Sequence, residues 1–262
     1  MSEQALSTEL DGPVAVITLT RPEVLNRLDA LAHAGLIREL TSLAQDTEIR
    51  AIVLGSTGKV FSAGGDFALM REAHDDPRMR HELVDDARAL LTALLSLPQP
   101  IVVGMQGAAI GLGATIVLGC DAVVAARTAQ IADSHVNIGL VAGDGGAALW
   151  PAVAGVLRGR RHLLTGDPLD AETAYQLGMI TDLVDTPDEV MPAAIELARR
   201  IAALPPLAVQ LTKRVLVRGL LQRVGEVGDL GLAYEELTLG SDDLLEGIAA
   251  LKERRPGVFT GR

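Results

Sequence analysis

The stretch IVVGMQGAAIGLGATIVLGC, residues 101–120, carries no charged residue along its whole length. A run of roughly 20 apolar residues is long enough to cross a membrane. Its punctuation argues for something else. Glycines interrupt it at Gly104, Gly107, Gly111 and Gly113, Gln106 lies inside it, and Asp121 follows with no basic flank. Pro98 and Pro100 stand just ahead, where a helix ends and extended chain begins. The stretch therefore reads as a buried strand (101–106), a tight turn and a buried helix (112–119).

Working outward, PVAVITLT (13–20), RAIVLGS (50–56) and DAVVAA (121–126) are short β-branched runs that read as strands. Between the first two, Leu31, Leu36, Leu40 and Leu43 recur at helical spacing over 29–44, with Asp29 placed to cap that helix. A second amphipathic helix spans 78–96. Beyond Gly145 the pattern is helical throughout, apart from MITDLVD (179–185), which reads as a small edge strand. Thr186, Pro187 and Glu189 supply an N-cap, a first-turn proline and a capping-box acid for a helix over 187–203. Pro205 and Pro206 then break the chain. The class is α/β with a helical appendage, divided into a core (1–204) and a helical, oligomer-forming region (205–262).

Composition narrows the function. Hydrophobic residues make up 48% of the 262, aromatics only 2%, and the net charge is −11. The acidic balance argues against a nucleic-acid partner, whose binders concentrate positive charge, and the scarcity of aromatics argues against a base-stacking surface. Cys120 is the single cysteine; it cannot form an internal disulfide, and the spacing of a cysteine metal site is missing. The opening MSEQALSTELDG lacks a basic segment leading into an apolar run, so a signal peptide is not expected and a reducing cytoplasm is the expected setting. No membrane partner and no metal are expected.

Two glycine-rich turns each follow an apolar strand: FSAGGDF (61–67) and GAAIGLGAT (107–115). The plain reading of the second is close packing of a helix on a strand. A dinucleotide fingerprint fails for want of a third glycine and a distant acid. Two such turns aimed at one cavity, the second at a helix N-terminus, would instead hold an oxygen that becomes anionic.

These residues resemble the enoyl-CoA hydratase/isomerase family, the crotonases, over nearly the whole chain. RPEVLNRL (21–28) is similar to its N-terminal CoA-contacting turn, AIVLGSTGKVFSAGGDFALM (51–70) to its first oxyanion segment, and QGAAIGLGATIVLGCD (106–121) to its second. TGDPLDAETAYQLGMITDLV (165–184) and EGIAALKERRPGVF (246–259) resemble the stretch before the helical tail and the basic C-terminal end. The resemblance implies a spiral of ββα turns with a C-terminal helical region, trimers or hexamers, and an acyl-CoA thioester substrate with no separate cofactor. It also implies an oxyanion hole from the backbone N–H groups of Gly65 and Leu112. Val24, Leu25, Ala63, Gly65, Asp66, Phe67, Ala68, Gly111, Leu112 and Arg254 fall at its CoA- and substrate-contacting positions, with Arg255 beside Arg254 at the phosphate-contacting end. Glu23 stands where a basic residue is common.

The sequence departs from the family at its acids. Hydratases of this kind use two glutamates, and here those positions hold Thr115 and His135. Thr115 is either a support for the site or a helix hydroxyl bonded back to a carbonyl; His135 is either functional or a satisfied structural histidine. Asp144, in GLVAGDGGAALWP (139–151), lies near a glycine pair where the family's isomerases carry a proton-shuttling carboxylate. It is the candidate acid/base, the alternative being a helix cap. Burial against an acyl pocket is expected to raise its pKa. The functions in view are an acyl-CoA lyase or isomerase working through an enolate, a non-catalytic acyl-CoA-binding relative, and a CoA-thioester or β-diketone hydrolase using His135 with Asp144. Asp66 reads as a cap or ion-pair partner, Trp150 as core, Cys120 as a small buried hydrophobe, and Glu72, Asp75 and Asp76 as a charged, mobile stretch.

Overall fold

The computed structural model describes residues 4–262, so Met1, Ser2 and Glu3 of the opening polar stretch lie outside the described residues. The elements in chain order begin with β1 (Leu6–Asp11), β2 (Val14–Leu19), α1 (Ala30–Ala44), β3 (Ala51–Ser56), α2 (Phe67–Asp75) and α3 (Pro77–Ser96). Next come β4 (Ile101–Met105), β5 (Ala109–Ile110), α4 (Leu112–Gly119), β6 (Ala122–Ala126) and β7 (Gln130–Ala132). The remainder is α5 (Gly146–Ala154), α6 (Val156–Thr165), β8 (Leu169–Asp170), α7 (Ala171–Gln176), β9 (Asp182–Val184), α8 (Pro187–Ala202), α9 (Pro206–Leu216), α10 (Arg218–Leu239) and α11 (Asp242–Glu253).

Among the described residues one sheet runs in the order β1-β2-β3-β4-β6-β9 and a smaller one in the order β5-β7-β8. Within the large sheet only the β1–β2 pair is antiparallel. The chain alternates between the sheets: β4 to β5 to α4, then β6 to β7, so a turn of the spiral is two strands and a helix. All residues of β3 are buried, as expected of a parallel strand covered on both faces. Ile52 and Leu54 face the main core, while Ala51 and Val53 face a second cluster built on Ala194, Ala198 and Ala202 of α8.

The uncharged segment is the predicted strand, turn and helix, and no helix among the described residues is long and apolar enough to cross a membrane. Asp29 caps α1 by accepting from the Ala32 N–H at 3.1 Å, and Glu189 accepts from the Thr186 N–H at 3.0 Å to close the box that opens α8. β1 lies within residues given no element from sequence. Residues 72–75, expected to be mobile, complete α2, and Asp76 caps α3. The helical tail folds back on its own core. Buried Lys213 on α9 donates to Gln99 O (2.9 Å) and Asp121 Oδ2 (2.7 Å), and Arg223 on α10 donates to Ala148 O at 2.9 Å.

Candidate active site

The first glycine turn is held from below. Asn26, buried in the left-handed region at φ 48, donates its amide to Thr57 O (2.8 Å) and Val60 O (3.1 Å). Ser62 Oγ donates to Asn26 O at 2.9 Å, and the Gly64 N–H donates to Ser62 Oγ at 3.1 Å. A parallel bridge joins Ser62 to Ala109, which lays the second glycine turn beside the first. The glycines of that second turn differ in what requires them. Gly107 and Gly113 are packing residues, since a Cβ there would come 2.0 Å from Lys59 O and 2.9 Å from Ser62 Cβ. Gly111 is conformational: its φ of 54 and ψ of −123 suit glycine and turn the chain into α4 with Leu112 at the first helical position. Among the described residues, neither the Leu112 nor the Gly65 backbone N–H is spent on another backbone group.

Gly65 and Leu112 line one inner pocket together with Asp66, His135 and Asp144. This pocket is narrow, about 60 Å³, and adjoins a wider cavity of about 360 Å³ lined by Ala63, Phe67, Gly111 and Leu251. Gly65, Met70 and His135 belong to both and form the neck between them. Asp66 accepts from the Ala68 N–H (2.9 Å) to cap α2 and pairs with Arg27 at 3.4 Å, both roles read from the sequence. Val24, Leu25, Ala68 and Arg254 line neither cavity, although Leu25 O accepts from the Ala63 N–H at 3.0 Å. Arg254 is exposed at the C-cap of α11, and Arg255 is taken by Glu246 and Glu253 of its own chain.

The three acid/base candidates do meet. Thr115 Oγ1 donates to Asp144 Oδ1 at 3.2 Å instead of bonding back along its helix. His135 Nε2 lies 3.3 Å from Asp144 Oδ2, and its Nδ1 lies 2.7 Å from Asp133 Oδ1. Asp144 is not the cap of α5; Gly145 holds that position. The glycines around it each clear a neighbour. A Cβ on Gly143 would meet Gly231 O at 2.3 Å, on Gly145 Thr115 Cγ2 at 2.7 Å, and on Gly146 Asp133 Oδ2 at 2.2 Å. Asp133, Thr115, His135 and Asp144 are all buried.

The charge state follows from this geometry. Burial alone would discharge His135, but the carboxylates of Asp144 and Asp133 outweigh it and hold the imidazole pKa well above its ordinary value. Burial would likewise raise Asp144, yet the His135 imidazolium, the Thr115 hydroxyl and the Gly146 N–H bring its pKa below the ordinary carboxylate value. The sequence expectation of a raised Asp144 pKa is therefore corrected: the nearest charge decides, not the apolar wall. One ligand atom from each of Asp133, His135 and Asp144 lies within 4.8 Å of the others. Both ring nitrogens face carboxylates, however, so a metal ion would have to displace one of those contacts.

Three further polar residues escaped the sequence reading. Asp133 lies two residues before His135. Glu235 shares a buried α10 face with Gly231, Leu232 and Leu239, and His33 shares the buried α1 face with Leu36 and Leu40. A charged or titratable residue in register with an apolar stripe was the available signal. Glu235 is pushed up to about 8 by burial and by Asp144, with Asp133 adding to this and His135 opposing it. The folded chain thus keeps a proton that the unfolded chain releases from about 4.5 upward. Stability from this group is complete below that value and is lost as pH rises through 8, by about 1.4 kcal/mol per pH unit within the window. Glu235→Gln is expected to melt several degrees above wild type at pH 8 and close to it at pH 5, measured by differential scanning calorimetry. A wild-type-to-variant difference that does not change with pH would refute this.

The sequence profile of the family described as enoyl-CoA hydratase/isomerase matches residues 9–262. The chain is 34% identical, over 100% of both chains, to the 1,2-epoxyphenylacetyl-CoA isomerase of Escherichia coli. It is 30% identical, again over 100% of both, to the 2,3-dehydroadipyl-CoA hydratase of the same organism. Among solved structures, an enoyl-CoA hydratase/isomerase from Mycobacterium paratuberculosis superimposes with a TM-score of 0.90 at 34% identity, covering 94% of this chain and 98% of that one. The chain belongs to the enoyl-CoA hydratase/isomerase family and has the crotonase fold.

Proposed function

We infer that the protein is an acyl-CoA isomerase of this family, moving a double bond through a thioester enolate with Asp144 as the proton carrier. The observation that carries this reading is the ionised Asp144 beside an imidazolium, in one pocket with two uncommitted backbone N–H groups. A protonated His135 cannot accept a further proton, which leaves Asp144 as the base. Asp144 takes a proton from C2, the Gly65 and Leu112 N–H groups hold the enolate oxygen, and Asp144 returns the proton to C4. The thioester sits at the neck, the reacting end of the acyl group enters the narrow pocket, and the pantetheine lies in the wider cavity. His135, positioned by Asp133, and Thr115 orient Asp144. Coenzyme A arrives as part of the substrate, so the reaction draws on carboxylate, imidazolium and backbone donors alone. The similarity to a chain named as an isomerase supports this assignment.

The test is an assay with 3-enoyl-CoA and 2-enoyl-CoA. Interconversion without 3-hydroxyacyl-CoA is expected. Predominant hydration would replace isomerisation with lyase activity; release of free CoA would favour the hydrolase; binding of a saturated acyl-CoA without any turnover would favour the non-catalytic relative.

The helical tail is proposed to mediate assembly into trimers or hexamers. Leu207, Leu211, Val215 and Leu216 are 70, 47, 74 and 75% exposed, an apolar stripe along α9. Leu220 and Leu221, farther along the tail, pack against the chain's own core and are not part of it. Sedimentation at micromolar concentration should give a trimer or hexamer. A monomer there would contradict the proposal.

A further inference from the structure

The inner pocket has an apolar wall formed by Leu69, Met70, Leu83, Val84, Ala87 and Leu239. Two side chains break it. Glu235, 92% buried, has its Oε2 enclosed without a hydrogen-bond partner, and His33, 93% buried, has its Nδ1 in the same condition. A buried polar group without a partner destabilises the fold, and an apolar residue of similar size would relieve that cost. Two of them on one pocket are explained by a ligand that supplies what they lack.

We propose that Glu235 and His33 are the specificity-determining polar pair of the acyl pocket, selecting an acyl group that carries a neutral hydrogen-bonding oxygen beyond the thioester. This rests on the acyl-CoA reading above and deepens it. The carboxyl of Glu235 keeps its proton at neutral pH, so it is a donor that a keto, epoxide or ether oxygen accepts. Burial holds the His33 pKa below its ordinary value, against the opposing pull of Asp86, Asp144 and Asp29, so His33 offers a neutral imidazole. An anionic acyl terminus does not fit. Asp133 and Asp144 outnumber the single His135 imidazolium, and among the described residues no lysine or arginine lines the pocket. A site that hydrogen-bonds an oxygen discriminates strongly against the hydrocarbon lacking it, because its own polar groups are then left unpaired.

Calorimetric binding of saturated acyl-CoAs to the intact protein tests this without relying on turnover. The probes are hexanoyl-CoA, three analogues with one keto oxygen at the third, fourth or fifth carbon, and adipyl-CoA. At least one keto analogue should bind about tenfold or more tightly than hexanoyl-CoA, with adipyl-CoA the weakest. Glu235→Leu should abolish that advantage, and Glu235→Gln, which keeps an N–H donor, should retain most of it. His33→Phe should reduce it. Equal binding of hexanoyl-CoA and every keto analogue would overturn the inference while leaving the acyl-CoA reading intact, as expected if a water satisfies both groups. Tightest binding of adipyl-CoA, or an advantage that survives Glu235→Leu, would overturn it as well. Binding of none of the probes would remove the acyl-CoA reading itself.

Discussion

Asp144→Asn is expected to lower turnover by two to four orders of magnitude, roughly the contribution of a positioned acid/base, while acyl-CoA binding persists. The amide keeps the size of the carboxylate and its contact with Thr115 Oγ1, so the loss isolates basicity. In the wild type the depressed Asp144 pKa keeps the base ionised through neutrality. The limb that reports Asp144 should therefore lie in acid, where pH drops through that lowered value. His135→Gln removes the imidazolium that lowers it, so the acid limb of kcat/KM should move to higher pH while activity on the alkaline side survives better than in Asp144→Asn. The histidine variant also leaves the buried carboxylates of Asp133 and Asp144 without their shared cation, a change that costs stability. Its fold needs checking by circular dichroism before rates are compared. Thr115→Ala should be milder than either. A dead His135→Gln beside a nearly normal Asp144→Asn would mean the base is misassigned. His135 would then carry the chemistry, and the hydrolase reading would move ahead.

Much of this arrangement was readable before any coordinates. β2, β3, β4 and β6 are β-branched runs, and α1 and α8 announce themselves through Asp29 and through Thr186 with Glu189, because caps are local chemistry. The uncharged segment was read correctly since Pro98, Pro100 and the glycines act on the backbone directly. β5, β7 and β8 were missed: two or three residues carry no periodicity, and their pairing is imposed by the neighbouring turn. β1 was missed because only Leu6 of its six residues is buried, as befits an edge strand. The site divides the same way. The two glycine turns were legible, since glycine and its spacing mark a tight turn directly, whereas naming Gly65 and Leu112 as donors rested on the family resemblance. The electrostatics of Asp144 was not, because the charge that sets it arrives from His135, nine positions earlier in sequence and in contact only through the fold. Glu235 comes from α10, farther away still, through the close approach of Gly231 to Gly143.

That close-packed backbone makes the second donor of the hole testable in isolation. Leu112 occupies the first helical position of α4, the one place in a helix where proline is well tolerated because the N–H there has no intrahelical acceptor. Gly111 before it has a ψ of −123, away from the helical values that a following proline disfavours. Leu112→Pro should thus delete one oxyanion donor with little cost to the helix. It also removes a buried side chain from the pocket wall, so Leu112→Ala serves as the control: it keeps the N–H and loses the packing. If the enolate oxygen rests on this donor, kcat for Leu112→Pro should fall by about 10²–10³, the usual worth of one such group, and the alanine variant should lose far less. The binding of a saturated acyl-CoA should change little between the two variants, because the interaction strengthens as charge develops on the oxygen. Equal losses in the proline and alanine variants would show that Leu112 acts through its side chain, and the anionic oxygen would have to be held elsewhere. A loss confined to proline would tie the glycine-rich turn, the N-terminus of α4 and the enolate to one another through a single backbone N–H.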